Sequence, residues 1–336
     1  MLCLSLTAGL LVLCSCRPNI GPPSGGGGGR GGGTGPGITP AAAGKPQFPA
    51  VGSLFGSCSY PWDNPTMANR IALWNRRDAD AGRPYDISNN FYRWDLAFPG
   101  VPETEAISHG RTPMVSWNGT TTSTITSGQS DTLIRTRARA LRDLHVPVLL
   151  RFFWEMDGHK GISLAGTPAN FIAAWRYVHQ IFVQEGAANV AWVWAPTNLR
   201  FGGAYGNTAP AWYPGDDVVD WIGADGYNWA PDMVNAPYES FQSIFANFYA
   251  WASTHDKPLM VGETGVEERN PGEKAQWIRA MATTLKTTYT RIKALVYFDL
   301  SYPESGVTWR WPVDSTPETY AAWNGIARDP YFNTRG

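Results

Sequence analysis

Pro147-Val148-Leu149-Leu150-Arg151-Phe152-Phe153-Trp154-Glu155 is an apolar run of strand length that ends on a carboxylate. The residues before it, Asp131 to Leu144, open on an acid and place Leu133, Ile134, Ala138, Leu141 and Leu144 near a 3.6-residue period. Behind it, Phe171, Trp175, Val178 and Phe182 repeat that spacing. A short buried run between two amphipathic segments predicts a strand flanked by helices.

Working outward, similar runs recur at Leu54 to Gly56, Phe91 to Leu96, Pro113 to Trp117, Val190 to Trp194, Val219 to Gly223, Pro258 to Val261 and Ala294 to Phe298. Phe241, Ile244, Phe245, Phe248 and Trp251 mark one later helix, and Trp277, Ile278, Met281 and Leu285 another. Eight strand-helix units within residues 47–336 predict the α/β class and a closed (β/α)₈ TIM barrel forming a single domain. An open doubly wound sheet is the competing arrangement. No glycine-rich nucleotide loop follows its first strand, so that version has no visible ligand site.

In a barrel the chemistry sits beyond the strand ends. Carboxylates stand there at Asp95, Glu155, Asp225, Glu263 and Asp299. Glu155 and Glu263 directly follow buried runs, the second being Leu259-Met260-Val261-Gly262-Glu263, and each is expected to be held by a rigid strand. Strands four and seven face each other across the mouth. Two glutamates there can flank a glycosidic bond, and at about 5 to 5.5 Å separation one attacks while the other protonates the leaving oxygen.

Composition narrows the ligand. The 336 residues hold 27 Lys+Arg against 28 Asp+Glu, a net charge of -1 that offers no basic surface for nucleic acid. Sixteen Trp, 14 Tyr and 14 Phe are instead suited to stacking on pyranose rings. Trp117, Trp194, Trp229 and Trp309 fall near strand ends or in following loops and are candidate sugar platforms, as is Trp154 beside Glu155. Trp62, Trp74, Trp175, Trp251 and Trp277 read as packing residues. Arg151 faces the barrel interior or mouth, as an ion partner or a substrate ligand. Asp225 and Asn228 can bind sugar hydroxyls or cap the next loop. The five histidines are scattered without metal-ligand spacing, and no Gly-x-Ser-x-Gly occurs, so neither a metal nor a cofactor is expected.

The N-terminal segment reads as an address. Residues 1–16 carry no charge and include Leu10-Leu11-Val12-Leu13, a signal-peptide core. Leu13-Cys14-Ser15-Cys16 looks like a lipobox, which makes Cys16 the candidate for lipid modification and the only expected tie to a membrane. Residues 17–46 read as a flexible linker, since 11 of the 17 residues from Gly21 to Gly37 are glycine and three are proline. A secreted or cell-surface lipoprotein, monomeric, is the expectation.

The strand-end segments resemble glycoside hydrolase family 26. Arg151-Phe152-Phe153-Trp154-Glu155-Met156-Asp157-Gly158 is similar to that family's acid/base strand, and Asn189 to Asn198 to its fifth strand. Tyr213 to Asn228 is the most specific segment, and Gly262-Glu263-Thr264-Gly265 resembles the nucleophile strand. The resemblance implies Glu155 as general acid/base, Glu263 as nucleophile and Tyr227 as the hydroxyl that orients it. It also places Asn198 among the site residues. Trp154 stands where family members usually carry histidine. The implied activity is a retaining endo-β-glycanase on a polysaccharide, with β-1,4-mannan first and β-1,3-xylan or mixed-linkage β-glucan behind it. The competing reading is a surface barrel that binds glycans without cleaving them.

Overall fold

The computed structural model describes residues 44–61, 63–202, 205–233, 235–304 and 307–334. The signal segment 1–16, Cys16, most of the linker and Trp62 lie outside the described residues.

Strands β1 (Leu54–Ser59), β2 (Ile87–Tyr92), β3 (Thr112–Trp117) and β4 (Val148–Phe152) alternate with helices α1 (Met67–Ala81), α2 (Val101–Ser108), α3 (Thr122–Thr126) and α4 (Asp131–Arg142). The second half continues with α5 (His159–Ala165), α6 (Pro168–Gln184), β5 (Val190–Trp194), β6 (Trp221–Asp225), α7 (Phe241–Ala252), β7 (Leu259–Glu263), α8 (Glu273–Thr287) and β8 (Ile292–Asp299). A hairpin of β9 (Ser301–Glu304) and β10 (Val307–Arg310) follows, then α9 (Pro317–Arg328). β1 to β8 pair in sequence order, all parallel, and β8 closes onto β1, a (β/α)₈ barrel.

The side-chain alternation of a strand sorts each run into two cores. Inward residues, among them Ile87, Met114, Leu149, Val193, Trp221, Met260 and Val296, fill the barrel. Outward ones form the layer beneath the helices, where Phe152 lies 5.4 Å from the Trp117 ring, 5.8 Å from Trp175 and 6.1 Å from Trp192. That parity corrects two expected sugar platforms. Trp117 and Trp194 point outward and are wholly buried. Trp117 stacks on Trp94 at 4.5 Å, and Trp194 packs against Tyr213 and Trp251. Trp74, Trp175 and Trp277 are buried packing residues, as expected from their helical spacing.

Two strands are displaced from the sequence reading. β2 starts at Ile87 rather than Phe91, because Ser88, Asn89 and Asn90 are buried although polar. Ser116 donates to Asn89 and Arg70 donates to Asn90, so these side chains enter the core with partners. Asp95 consequently lies beyond the strand, with a largely exposed side chain. β6 runs two residues later than expected, since Asp220 is engaged at its start, its carboxylate accepting from the Trp192 N–H at 2.8 Å. The folded unit also begins earlier than the expected linker end. Lys45 bonds Asp220 at 2.7 Å, Pro46 is buried, and Phe48 meets Trp221 edge-on at 5.7 Å under the barrel floor.

Candidate active site

The mouth is organised around one buried guanidinium. Arg151 is inward on β4 and fully buried. Its Nε donates to Ser116 Oγ at 2.9 Å, and its Nη1 donates to both oxygens of Asp225 at 2.7 and 2.8 Å. Its Nη2 donates to Glu263 Oε1. The other Glu263 oxygen accepts from the Tyr227 hydroxyl at 2.5 Å. Gly262 allows this crossing: a Cβ there would stand 2.6 Å from Asp225 Oδ1 and 3.0 Å from Arg151 Nη1. Glu263 is the last residue of β7, so the strand ladder fixes its backbone.

Glu155 is held differently from the sequence expectation. β4 ends at Phe152, and Phe153 and Glu155 both take left-handed backbone angles, φ 52° and 51°. Such angles in non-glycine residues cost energy and persist only where the surroundings enforce them. Here the Phe153 N–H donates to the Trp117 carbonyl and the Glu155 N–H to the Ala195 carbonyl, each at 2.8 Å. The turn is thus pinned to both neighbouring strands. A Cβ at Gly161 would overlap the Glu155 carbonyl, so α5 can approach the turn only with glycine there.

Three carboxylates, Glu155, Asp225 and Glu263, share this site with one guanidinium. Burial pushes Glu155 well above the usual carboxylate range, and the charges of Asp225 and Glu263 push it further. Asp225 and Glu263 each accept directly from Arg151, whereas among the described residues no ion pair is made to Glu155. Burial pushes Asp225 up as well, with the Arg151 charge opposing it, so Glu155 is the raised carboxyl that has no bonded cation. Burial also raises Asp157, to about 7, against the lowering effect of the Thr197 N–H. Burial first, and the Glu263 charge second, hold the Tyr227 hydroxyl protonated.

Several expected sugar ligands have other duties. Arg151 and Asp225 are buried and bonded to each other beneath the nucleophile. Asn228 Nδ2 donates to the Glu239 carbonyl at 2.9 Å and its Oδ1 accepts from the Ala230 N–H, which caps the loop. Asn198 Nδ2 donates to the Ile244 carbonyl at 2.9 Å, tying its loop to α7. Trp309 is buried, lying 5.7 Å from Trp311 in near-parallel stacking and edge-on to Trp229. Trp229 stays half-buried against Tyr227. Trp154 meets Phe91 edge-on at 5.2 Å, and both rings lie over the Arg151 guanidinium.

Phe91, Phe298 and Trp311 were not among the expected site residues. Phe298 lies 6.0 Å from Phe91, 5.9 Å from Tyr227 and 5.7 Å from Trp311, so an aromatic arc runs from Trp154 past Tyr227. Counting alternate residues from Ile87 would have put Phe91 on the inner face. Trp311 follows a hairpin that no strand-end signal announces.

The model of glycosyl hydrolase family 26 matches residues 118–291, a span that includes Glu155, Tyr227 and Glu263. The chain belongs to glycosyl hydrolase family 26. Its relatives carry names of several specificities. Endoglucanase H of Acetivibrio thermocellus is 30% identical over 253 residues, 72% of this chain and 27% of that protein. The β-1,3-xylanase TXYA of a Vibrio species is 33% identical over 209 residues, 59% of this chain and 37% of that protein. The chain thus spans less than two fifths of the length of either relative. The catalytic domain of the endo-β-1,4-mannanase of Bacillus sp. JAMB-750 superposes with a TM-score of 0.61 at 16% identity, over 83% of this chain and 86% of that one, a likeness of fold.

Proposed function

We propose that the chain is a retaining endo-β-glycanase working by double displacement, with Glu263 as nucleophile and Glu155 as acid/base. One observation supports this above the others: Glu263 accepts from two donors, Arg151 and Tyr227, while Glu155 is buried without an ion-pair partner of its own. Two carboxylates in unlike settings divide naturally into acid and nucleophile. Glu263 attacks the anomeric carbon as the glycosidic C–O bond breaks, and the leaving oxygen takes the Glu155 proton. Glu155, now a carboxylate, removes a proton from water, whose oxygen displaces Glu263 and restores both groups. Tyr227 holds Glu263 Oε2, so Oε1 or Oε2 is presented in a fixed orientation rather than a rotating one.

For the substrate, β-glucan and β-1,3-xylan come ahead of β-1,4-mannan, which reverses the order implied by the sequence resemblance. The relatives matched over 208 residues or more are named for glucan and 1,3-xylan, whereas those named for mannan match over 150 residues or fewer. The edge-on Trp154–Phe91 pair supplies an apolar wall beside Glu155. Reducing-end release from barley β-glucan, β-1,3-xylan and mannan decides among them, with NMR of the first anomer formed. An inverted anomer, or cleavage of none of the three, would overturn the proposal. We also infer export, with the Cys16 lipid as anchor and a monomer as the working unit. Detergent-phase partitioning of the full chain against Cys16→Ser, and its mass in solution, test both.

A further inference from the structure

Asp157 is a buried carboxylate for which the double displacement has no use. It lies two residues past Glu155 in the same pinned turn, 1% exposed. Its Oδ1 accepts from the Thr197 N–H at 2.9 Å and its Oδ2 from the Thr197 hydroxyl at 3.3 Å. Thr197 is in turn bridged in parallel to Asp225, whose N–H donates to the Pro196 carbonyl at 3.0 Å. Asp225 is the carboxylate held by Arg151, which also holds Glu263. A continuous set of bonds therefore joins the Glu155 turn to the nucleophile.

We propose that Asp157 is a positioning residue: by clamping the Glu155 turn to Thr197, it sets where the Glu155 carboxyl stands relative to Asp225 and Glu263. The inference rests on the reading of Glu155 as acid/base. Without the clamp, a turn containing two left-handed residues would keep, among the described residues, its backbone ties to Trp117 and Ala195 and the internal bond from the Gly158 N–H to the Glu155 carbonyl. A misplacement of about 1 Å in a reacting group costs on the order of 10²-fold in rate. The charged groups facing Asp157 are Glu155 in its own turn, Asp225 on β6 and Arg200 in the loop after β5. Of these, Glu155 and Asp225 are raised by the Asp157 charge, and Arg200 favours that charge.

The test uses the full chain carrying Asp157→Ala, Asp157→Asn and, separately, Glu155→Ala. Two substrates are compared: barley β-glucan, which needs a proton on its leaving group, and a 2,4-dinitrophenyl β-cellobioside, whose leaving group does not. Asp157→Ala should lower kcat/KM on the polymer by about 10- to 100-fold and on the aryl glycoside by less than about threefold. Asp157→Asn keeps an acceptor for the Thr197 N–H and should recover most of the polymer rate. It removes a negative charge beside Glu155, so the alkaline limb of its kcat/KM profile should move to lower pH. Equal losses on both substrates, or an alanine variant with full polymer activity and an unmoved limb, would overturn the proposal. Polymer hydrolysis undiminished in Glu155→Ala would instead remove the acid/base assignment itself. Thermal unfolding of each variant separates a fold defect from a displaced acid.

Discussion

The two glutamates at the mouth are chemically identical, yet their settings differ at every level. Glu263 closes a strand, with one oxygen on Arg151 and the other on Tyr227. Glu155 sits past its strand in a turn with two left-handed residues, tied through backbone rather than side chain. The first setting stabilises a charge and fixes two oxygens. The second denies the carboxyl a cation and keeps the proton on it. Role follows from surroundings, because the residue type is the same.

Removing each glutamate should therefore fail in a different way. Glu263→Ala deletes the attacking group, and polymer kcat should fall by about 10⁴-fold or more, with no recovery on an activated aryl glycoside. Glu155→Ala deletes proton transfer only and should cost about 10²- to 10⁴-fold in kcat/KM on the polymer, with much of that loss absent in kcat/KM on the aryl glycoside, whose kcat still falls because the water step has lost its base. Steady-state kinetics on both substrates checks the pair, and identical profiles would erase the contrast. Next in size is Arg151→Met. It leaves Asp225 and Glu263 buried without their cation, and should lower unfolding free energy by about 3–5 kcal/mol, read by chemical denaturation. Stability within 1 kcal/mol of the parent would show that the guanidinium is not what holds the acids. Tyr227→Phe removes one donor to a charged group, about 1.5–3 kcal/mol and hence roughly 10- to 150-fold in kcat/KM, with the fold intact.

The barrel was legible because buried parallel strands are continuous apolar runs, and seven of the eight appear so in the sequence. β2 was misplaced since Ser88, Asn89 and Asn90 are polar yet buried, and the partners that hold Asn89 and Asn90 lie on β3 and α1. Glu155 and Glu263 were visible by position along the chain. For Arg151 and Asn228 the structural duty was one of two alternatives that could not be chosen between, because a hydrogen-bond partner many residues distant leaves no local trace. Trp117 and Trp194 show a different gap: nearness to a strand end was read, but the parity that turns a side chain toward the helices was not. The hairpin of β9 and β10 follows a strand without any apolar run of its own.

Trp154→His probes the contrast with the smallest expected effect. The indole of Trp154, the residue before Glu155, lies 5.6 Å over the Arg151 guanidinium and edge-on to Phe91. Imidazole is smaller, polar and able to carry a proton near neutral pH. A cationic ring next to Glu155 favours the carboxylate, so the pH above which the acid loses its proton falls. The alkaline limb of kcat/KM should move to lower pH, while the rate below it changes by less than about 30-fold, in line with losing a desolvated cation–π contact of about 2 kcal/mol. The same substitution places a hydrogen-bonding edge where the wall was apolar, and relative activity on mannan over β-glucan should rise. An unmoved limb together with an unchanged mannan-to-glucan ratio would show that the acidity of Glu155 is set by Asp225, Glu263 and burial alone, and that the neighbouring ring takes no part in it.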